Sequence, residues 1–209
     1  TCSNITWLLE DNFDTADNWT IESGAEKVVI GASKYLVADN PADGAGIVYN
    51  TAFAKTEGVA KLYEASINLD ITSVEAGKAI GLALGLAEDA TTCANAPFVG
   101  LRENAAGNGE LVILVNGEAA QVVDLGAPLD ATAPTLKVVA NVNAEGKIEI
   151  VGKVADKTIS HVVDSVDGKI AIAAAGSEGS FVAKLMSLDV NSYKGVVRDG
   201  RSLSTDFEG

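Results

Sequence analysis

Carboxylates come first among the residues that carry chemistry, because hydrolysis, metal binding and glycan recognition all draw on them. In residues 63–71, Tyr-Glu-Ala-Ser-Ile-Asn-Leu-Asp-Ile, the polar side chains Glu64, Ser66, Asn68 and Asp70 recur at every second position. Hydrolysis of a glycosidic bond needs two carboxyl groups about 5–9.5 Å apart. Glu64 and Asp70 stand six positions apart on one extended stretch. At about 3.3 Å per residue that separation is roughly 20 Å, too far for a catalytic pair. A wet strand face accounts for the pattern without catalysis. His161 is the sole histidine, in Ile159-Ser160-His161-Val162-Val163, with no Gly-x-Ser-x-Gly turn near it. It reads as a strand histidine with a hydrogen-bonding neighbour rather than a general base. One histidine and two cysteines exclude imidazole or thiolate metal clusters, and no glycine-rich phosphate loop is present. The sequence predicts a protein that is not an enzyme.

Oxygen-rich turns are the remaining chemistry. Residues 11–24, DNFDTADNWTIESG, crowd Asp11, Asn12, Asp14, Asp17 and Asn18 around Phe13 and Trp19. A second cluster is Asp39-Asn40-Pro41-Ala42-Asp43-Gly44. Calcium takes six to eight hard oxygen ligands at about 2.3–2.6 Å. Both clusters offer such oxygens, and neither has the spacing of an EF-hand. Turn capping by Asp and Asn explains both without a metal. Sugar binding asks for aromatic platforms beside polar groups, and aromatics are only 5% of the chain. Tyr35, Tyr49 and Tyr63 are the available platforms, although Tyr63 falls on the apolar side of its own strand. Tyr35, Asn40, Glu64, Ser66, Asn68 and Asp70 are therefore the candidate ligand contacts.

What must position these residues is β-structure. Period-two alternation runs along the whole chain, and no segment shows a helical period. Strands are predicted at 27–30, 35–37, 46–53, 60–71, 79–87, 98–102, 111–115, 120–125, 136–142, 147–151, 158–163, 169–174 and 181–190. Asn116-Gly117, Glu145-Gly146 and Asp167-Gly168 supply hairpin turns. Glu88–Ala96 is the longest loop. In residues 79–87 the even positions are large aliphatics and the odd ones all Ala or Gly. One face of that strand fills a core; on the other, something packs closely or space is left. If it lay beside the Glu64–Asp70 face, the pair would form a shallow groove.

Composition bounds the partners. The 209 residues carry 15 Lys+Arg against 29 Asp+Glu, a net charge of −14. Nucleic acid and anionic lipid need basic patches, so both are disfavoured; glycans, cations and other proteins are not. No run of about 18 apolar residues exists to span a membrane. Cys2 and Cys93 match no metal or redox spacing, which leaves open a disulfide, two thiols or, for Cys2, a lipid anchor. Asn4-Ile5-Thr6 and Asn18-Trp19-Thr20 match the glycosylation sequon by residue type. The acidic, Thr/Asn/Ala-rich, Met-poor composition predicts a secreted or cell-surface location in a bacterium. With no internal break, residues 1–195 form one domain, and 196–209 are a tail or the start of a following module.

The order of these features resembles a known family. The opening Asn12-Phe13-Asp14…Trp19, the long strand 60–71 with the Gly/Ala-rich strand after it, and the ending Gly168-Lys169-Ile170-Ala171-Ile172-Ala173 then Phe181…Leu185…Leu188-Asp189-Val190 carry the likeness. Together they resemble concanavalin A-like lectin/glucanase domains, including laminin-G-like modules. The resemblance covers nearly the whole chain and is one of pattern. It implies a jelly-roll sandwich of two antiparallel sheets, with sugar sites on the concave sheet or its rim. It also implies a structural calcium, with Asp11 and Asp14 meeting Asp189 of the final strand. The Glu-x-Asp-x-x-Glu strand of the related glucanases is absent. The expected function is a non-catalytic carbohydrate-binding or adhesive module, against a spacer domain of a surface protein with no small ligand.

Overall fold

A computed structural model describes residues 5–15, 17–21, 35–36, 43–55, 59–129, 133–176, 178–179 and 181–194. Alternation in sequence becomes alternation in burial. In β5 (Val59–Val74) the side chains of Tyr63, Ala65, Ile67, Leu69 and Ile71 are buried, while Glu64, Ser66, Asn68 and Asp70 are half-buried on the opposite face. Each such Ile or Leu withdrawn from water contributes about 1.5–3 kcal/mol.

Among the described residues, fourteen strands form two antiparallel sheets and no helix occurs. The first sheet runs in the order β1 (Ile5–Asp11), β14 (Phe181–Lys194), β5, β10 (Thr135–Val142), β11 (Ile148–Val154) and β12 (Lys157–Val163). The short β3 (Tyr35–Leu36) also pairs with β14. The second sheet runs β2 (Trp19–Ile21), β4 (Gly46–Tyr49), β13 (Lys169–Ala175), β6 (Ala79–Leu86), β7 (Phe98–Glu103), β8 (Gly109–Val115) and β9 (Glu118–Asp124). Their inner faces meet in one apolar core that includes Ile67, Leu69, Leu82, Leu84, Leu111 and Leu185. This is the two-sheet sandwich that the alternation predicts.

Some strand expectations shift. The stretch expected at 46–53 is a strand only to Tyr49, and Phe53 makes a single bridge to Gly168. The one expected at 27–30 and residue Val37 lie outside the described residues. β13 and β14, the two closing strands, sit in opposite sheets. The β8–β9 hairpin turns on Asn116 and Gly117, with φ of 53° and 81°. Both lie in the left-handed region, as a two-residue hairpin turn requires.

The Asp/Asn-rich opening is a hydrogen-bonded corner. Phe13, with φ 62°, is fully buried. Its N–H donates to Asp11 Oδ1 at 2.7 Å, and Trp19 Nε1 donates to Asp11 Oδ2 at 2.7 Å. From there Phe13, Trp19, Tyr49, Phe53 and Tyr63 touch in sequence, with ring centroids 5.7, 5.6, 5.8 and 5.4 Å apart.

Candidate functional site

The Ala/Gly face of β6 lies on the outer face of the second sheet, and its first residue, Ala79, lines a cleft there. Strand register puts residues of four strands in rows across the outer face of the second sheet: Glu110, Arg102, Ala79 and Ala175; Val112, Gly100, Gly81 and Ala173; Leu114, Phe98, Ala83 and Ala171. Small side chains keep this face low. Gly100 does more, since a Cβ there would meet the Phe98 ring at 2.5 Å. The ring lies over that glycine, along the sheet.

The loop 87–97 folds across part of this face. Cys93 N donates to Gly44 O at 3.0 Å, Leu84 N to Pro97 O at 2.8 Å, and Lys169 pairs with Glu88 at 3.2 Å. Buried Cys93 joins Phe98, Leu114, Val48 and Ala79 in a second apolar cluster outside the main core. Gly44, with φ +82°, admits the loop because a Cβ there would stand 2.5 Å from Thr92 Oγ1 and 2.6 Å from Ala94 N. Packing covers one part of the shaved face, and open space remains beside it.

That space is a cleft of about 820 Å³. Ala79, Phe98, Leu114 and Ala175 give it apolar surface, and Asp43, Asn95, Arg102, Glu103, Asn104 and Glu110 give it polar groups. Arg102 Nε donates to Glu110 Oε2 at 2.7 Å. Asn104 Nδ2 donates to Asp124 Oδ2 at 2.7 Å, and its Oδ1 accepts from the N–H groups of Ala106 and Asn108 at 3.0 Å each. The bond from Gly126 N–H, then those from Asn104 and Asn108, hold the Asp124 carboxyl below its ordinary range. At the far rim Asp43 Oδ1 accepts from Gly176 N at 2.9 Å, and the buried Lys78 ammonium donates to Gly176 O. Burial pulls Lys78 below the ordinary lysine value, and Asp43 opposes the shift. A few placed polar groups around apolar surface are the make-up of a small-ligand site.

The predicted contact residues lie elsewhere. Glu64, Ser66, Asn68 and Asp70 do share one face, but it is the outer face of the first sheet, whereas the cleft belongs to the second. β6 therefore does not lie beside them, and no groove joins the two faces. The Glu64 carboxylate is held by Lys61 at 2.9 Å and Lys137 at 3.2 Å. Partial burial pushes its pKa up, and the two lysines outweigh that and hold it below 4.5. Asn68 Nδ2 donates to Ser187 Oγ at 2.7 Å, and its Oδ1 accepts from Thr135. Register places Tyr35 opposite Lys184, and Lys184 opposite Asp70. Asn40 lies outside the described residues. Tyr49 and Tyr63 are core side chains and not platforms. The Tyr63 hydroxyl is buried without a hydrogen-bond partner among the described residues, and burial drives its pKa well above the ordinary value. His161 sits half-buried on β12, opposite Ile150.

The expected calcium set does not assemble. Among the described residues, no three His, Cys, Asp or Glu side chains stand close enough to hold a metal. Register explains why: Glu10 pairs with Asp189 and Asp11 with Leu188, so Asp11 and Asp189 point to opposite faces of the sheet. Both Asp11 oxygens already accept N–H bonds. Asp11, Asp14 and Asp189 thus do not fit a shared cation. Of the second cluster, only Asp43 and Gly44 are described.

Sequence reasoning missed Asn95, Arg102, Asn104 and Glu110. A signal was present, because Phe98, Gly100 and Arg102 alternate onto one face and Asn108-Gly109 follows within a hairpin's reach.

No protein-family model matches the chain, and no curated protein matches it. Solved structures do. A legume lectin-like domain from Entamoeba histolytica aligns over 87% of this chain and 92% of its own, at 14% identity and a TM-score of 0.55. A Bauhinia forficata lectin in complex with GalNAc aligns over 90% and 99%, at 15% identity and 0.56. The exoplasmic/lumenal domain of VIP36, in its Ca2+/Man3GlcNAc-bound form, aligns over 94% and 90%, at 12% identity and 0.51. At these identities the likeness is one of fold. The chain is a concanavalin A-like β-sandwich, with the fold of the legume lectin-like domains.

Proposed function

We propose that this domain is a non-catalytic carbohydrate-binding module of an exported bacterial protein, and that the glycan lies in the cleft on the second sheet. The observation that carries the reading is the cleft itself. Ala79, Ala175 and Leu114 line its floor beside the Phe98 ring, which lies against Gly100, and its sides carry Asn95, Arg102, Asn104 and Glu110. Sugars present an apolar ring face and a rim of hydroxyls, so a ligand of that shape matches both surfaces at once. The fold adds an argument by analogy, since similar structures were solved with GalNAc and Man3GlcNAc bound. Binding rather than hydrolysis is favoured because the Glu110 carboxylate is committed to Arg102. Export rests on the acidic, Met-poor composition. The competing spacer reading draws on Tyr49 and Tyr63, two of the expected platforms, being spent on the core.

A glycan array with wild type, Ala175→Trp, and the double variant Glu64→Ala/Asn68→Ala tests the reading, run with calcium and with chelator. Ala175→Trp fills the cleft and should abolish binding, whereas the double variant on the opposite sheet should retain it. The chelator arm reads whether binding depends on calcium. A silent array overturns the reading in favour of the spacer. Loss confined to the double variant moves the site to the first sheet.

A further inference from the structure

We infer that Glu110 sets the charge class of the ligand, so that the cleft admits neutral glycans and rejects acidic ones. This rests on the cleft being the glycan site and goes further, to the class of sugar it selects. Arg102 and Glu110 are direct partners across the β7–β8 ladder, joined at 2.7 Å inside the cleft. The Glu110 side chain is 13% exposed and that of Arg102 31%, so both are partly withdrawn from water. The bond uses the Nε–H of the guanidinium. Its two terminal amino groups have no acceptor among the described residues, and they are the strongest donors lining the space.

A lone arginine in such a place would recruit a carboxylate, because the bidentate pair is the arrangement a guanidinium favours. Here the positive charge is already paired with the protein's own glutamate at Nε, so a ligand carboxylate reaching the terminal groups would meet a neutralised pair. The remaining N–H groups then face a ligand from a site already neutralised, and a hydroxyl or ring oxygen accepts from them without bringing charge. A uronate or sialate carboxylate would have to enter beside Glu110, with Glu103 and Asp43 also on the cleft wall. Three carboxylates then surround it against one guanidinium, in a chain of net charge −14. The buried Lys78 ammonium is no remedy, since it is tied to Gly176 O behind the rim. In a cleft open to solvent, such repulsion weakens as salt rises.

Glu110→Gln removes one negative charge and keeps an amide oxygen to accept from Arg102 Nε. The probes are matched pairs of oligosaccharides: oligogalactose against oligogalacturonate, and N-acetyllactosamine against its sialylated form. Wild type should bind the neutral member at least about tenfold more tightly, and the preference should narrow as salt rises. Glu110→Gln should shrink the preference by about fivefold or more, mainly by strengthening the acidic member. Equal wild-type affinity for both members overturns the inference and leaves glycan binding intact, as does an unchanged preference in Glu110→Gln. If that variant fails to fold, a wild-type preference insensitive to salt overturns it instead. Wild type binding neither member of either pair overturns the glycan reading and this inference with it.

Discussion

Asp124 and Glu64 show at single-residue scale how the two sheets use their carboxylates. Each has a lower pKa folded than unfolded, so the folded chain binds fewer protons. The stability they give is fully present above their ordinary values of 3.8 and 4.5, and it is lost as pH falls through the folded values. The midpoint of thermal unfolding should therefore fall between about pH 6 and about pH 3, and by less in Asp124→Asn and Glu64→Gln. Lys78 makes a second case. It is fully buried and bonded to Gly176 O, so Lys78→Ala leaves a cavity and an orphaned carbonyl. The expected cost is about 2–3 kcal/mol, read as a shift in the urea midpoint. None of this is legible in sequence, where Lys78 is one polar residue in a turn, because its partner arrives from 98 positions away.

Elements were far easier to read than their partners. Alternation marks β5 and β6 without ambiguity, since a strand's own side chains report its two faces. Which strand lies alongside is another matter. β6 follows β5 in the chain yet belongs to the other sheet, between β13 and β7. Alternation marked the wet Glu64–Asp70 face and the shaved face, and their separation was hidden because register is a long-range property. The placing of Asp11 and Asp189 was hidden for the same reason, since they stand one register step apart and so on opposite faces. The loop 87–97 offers the test at this scale. Gly44→Val places a side chain where Thr92 and Ala94 now sit and demands φ +82° of a β-branched residue. The loop should lift, and in a Cys2→Ser background the buried Cys93 thiol should react with an aromatic disulfide reagent at least about tenfold faster than without the change. Equal rates would show that the loop does not depend on that glycine.

For the molecule as a whole, the sheets are closed by distant pairings. β5 and β14 run together from Val59–Lys194 to Val74–Phe181, and β10 pairs with β5 across more than sixty intervening residues. Such pairings cannot form early, so refolding should take milliseconds to seconds or longer after dilution from denaturant, as followed by tryptophan fluorescence. We place the end of the domain near residue 195: a chain ending at Lys194 should melt within about 2 °C of the full sequence. A larger fall would mean that the segment beyond contributes to the sandwich.

The pairing of β1 with β14 has one more consequence. Ile5 stands opposite Tyr193, so the start of the first strand and the end of the last share one end of an antiparallel ladder. Tension applied between those two residues pulls the ladder open like a zip. It loads one hydrogen bond at a time, whereas strands drawn lengthwise past each other would share the load across the whole row. β1 is the strand that peels, and it takes with it Asp11 and the corner that seats Phe13 and Trp19. A module strung end to end in a stretched fibre would give way there first. Pulled from those two residues, the ladder opens more easily than strands drawn lengthwise past each other would.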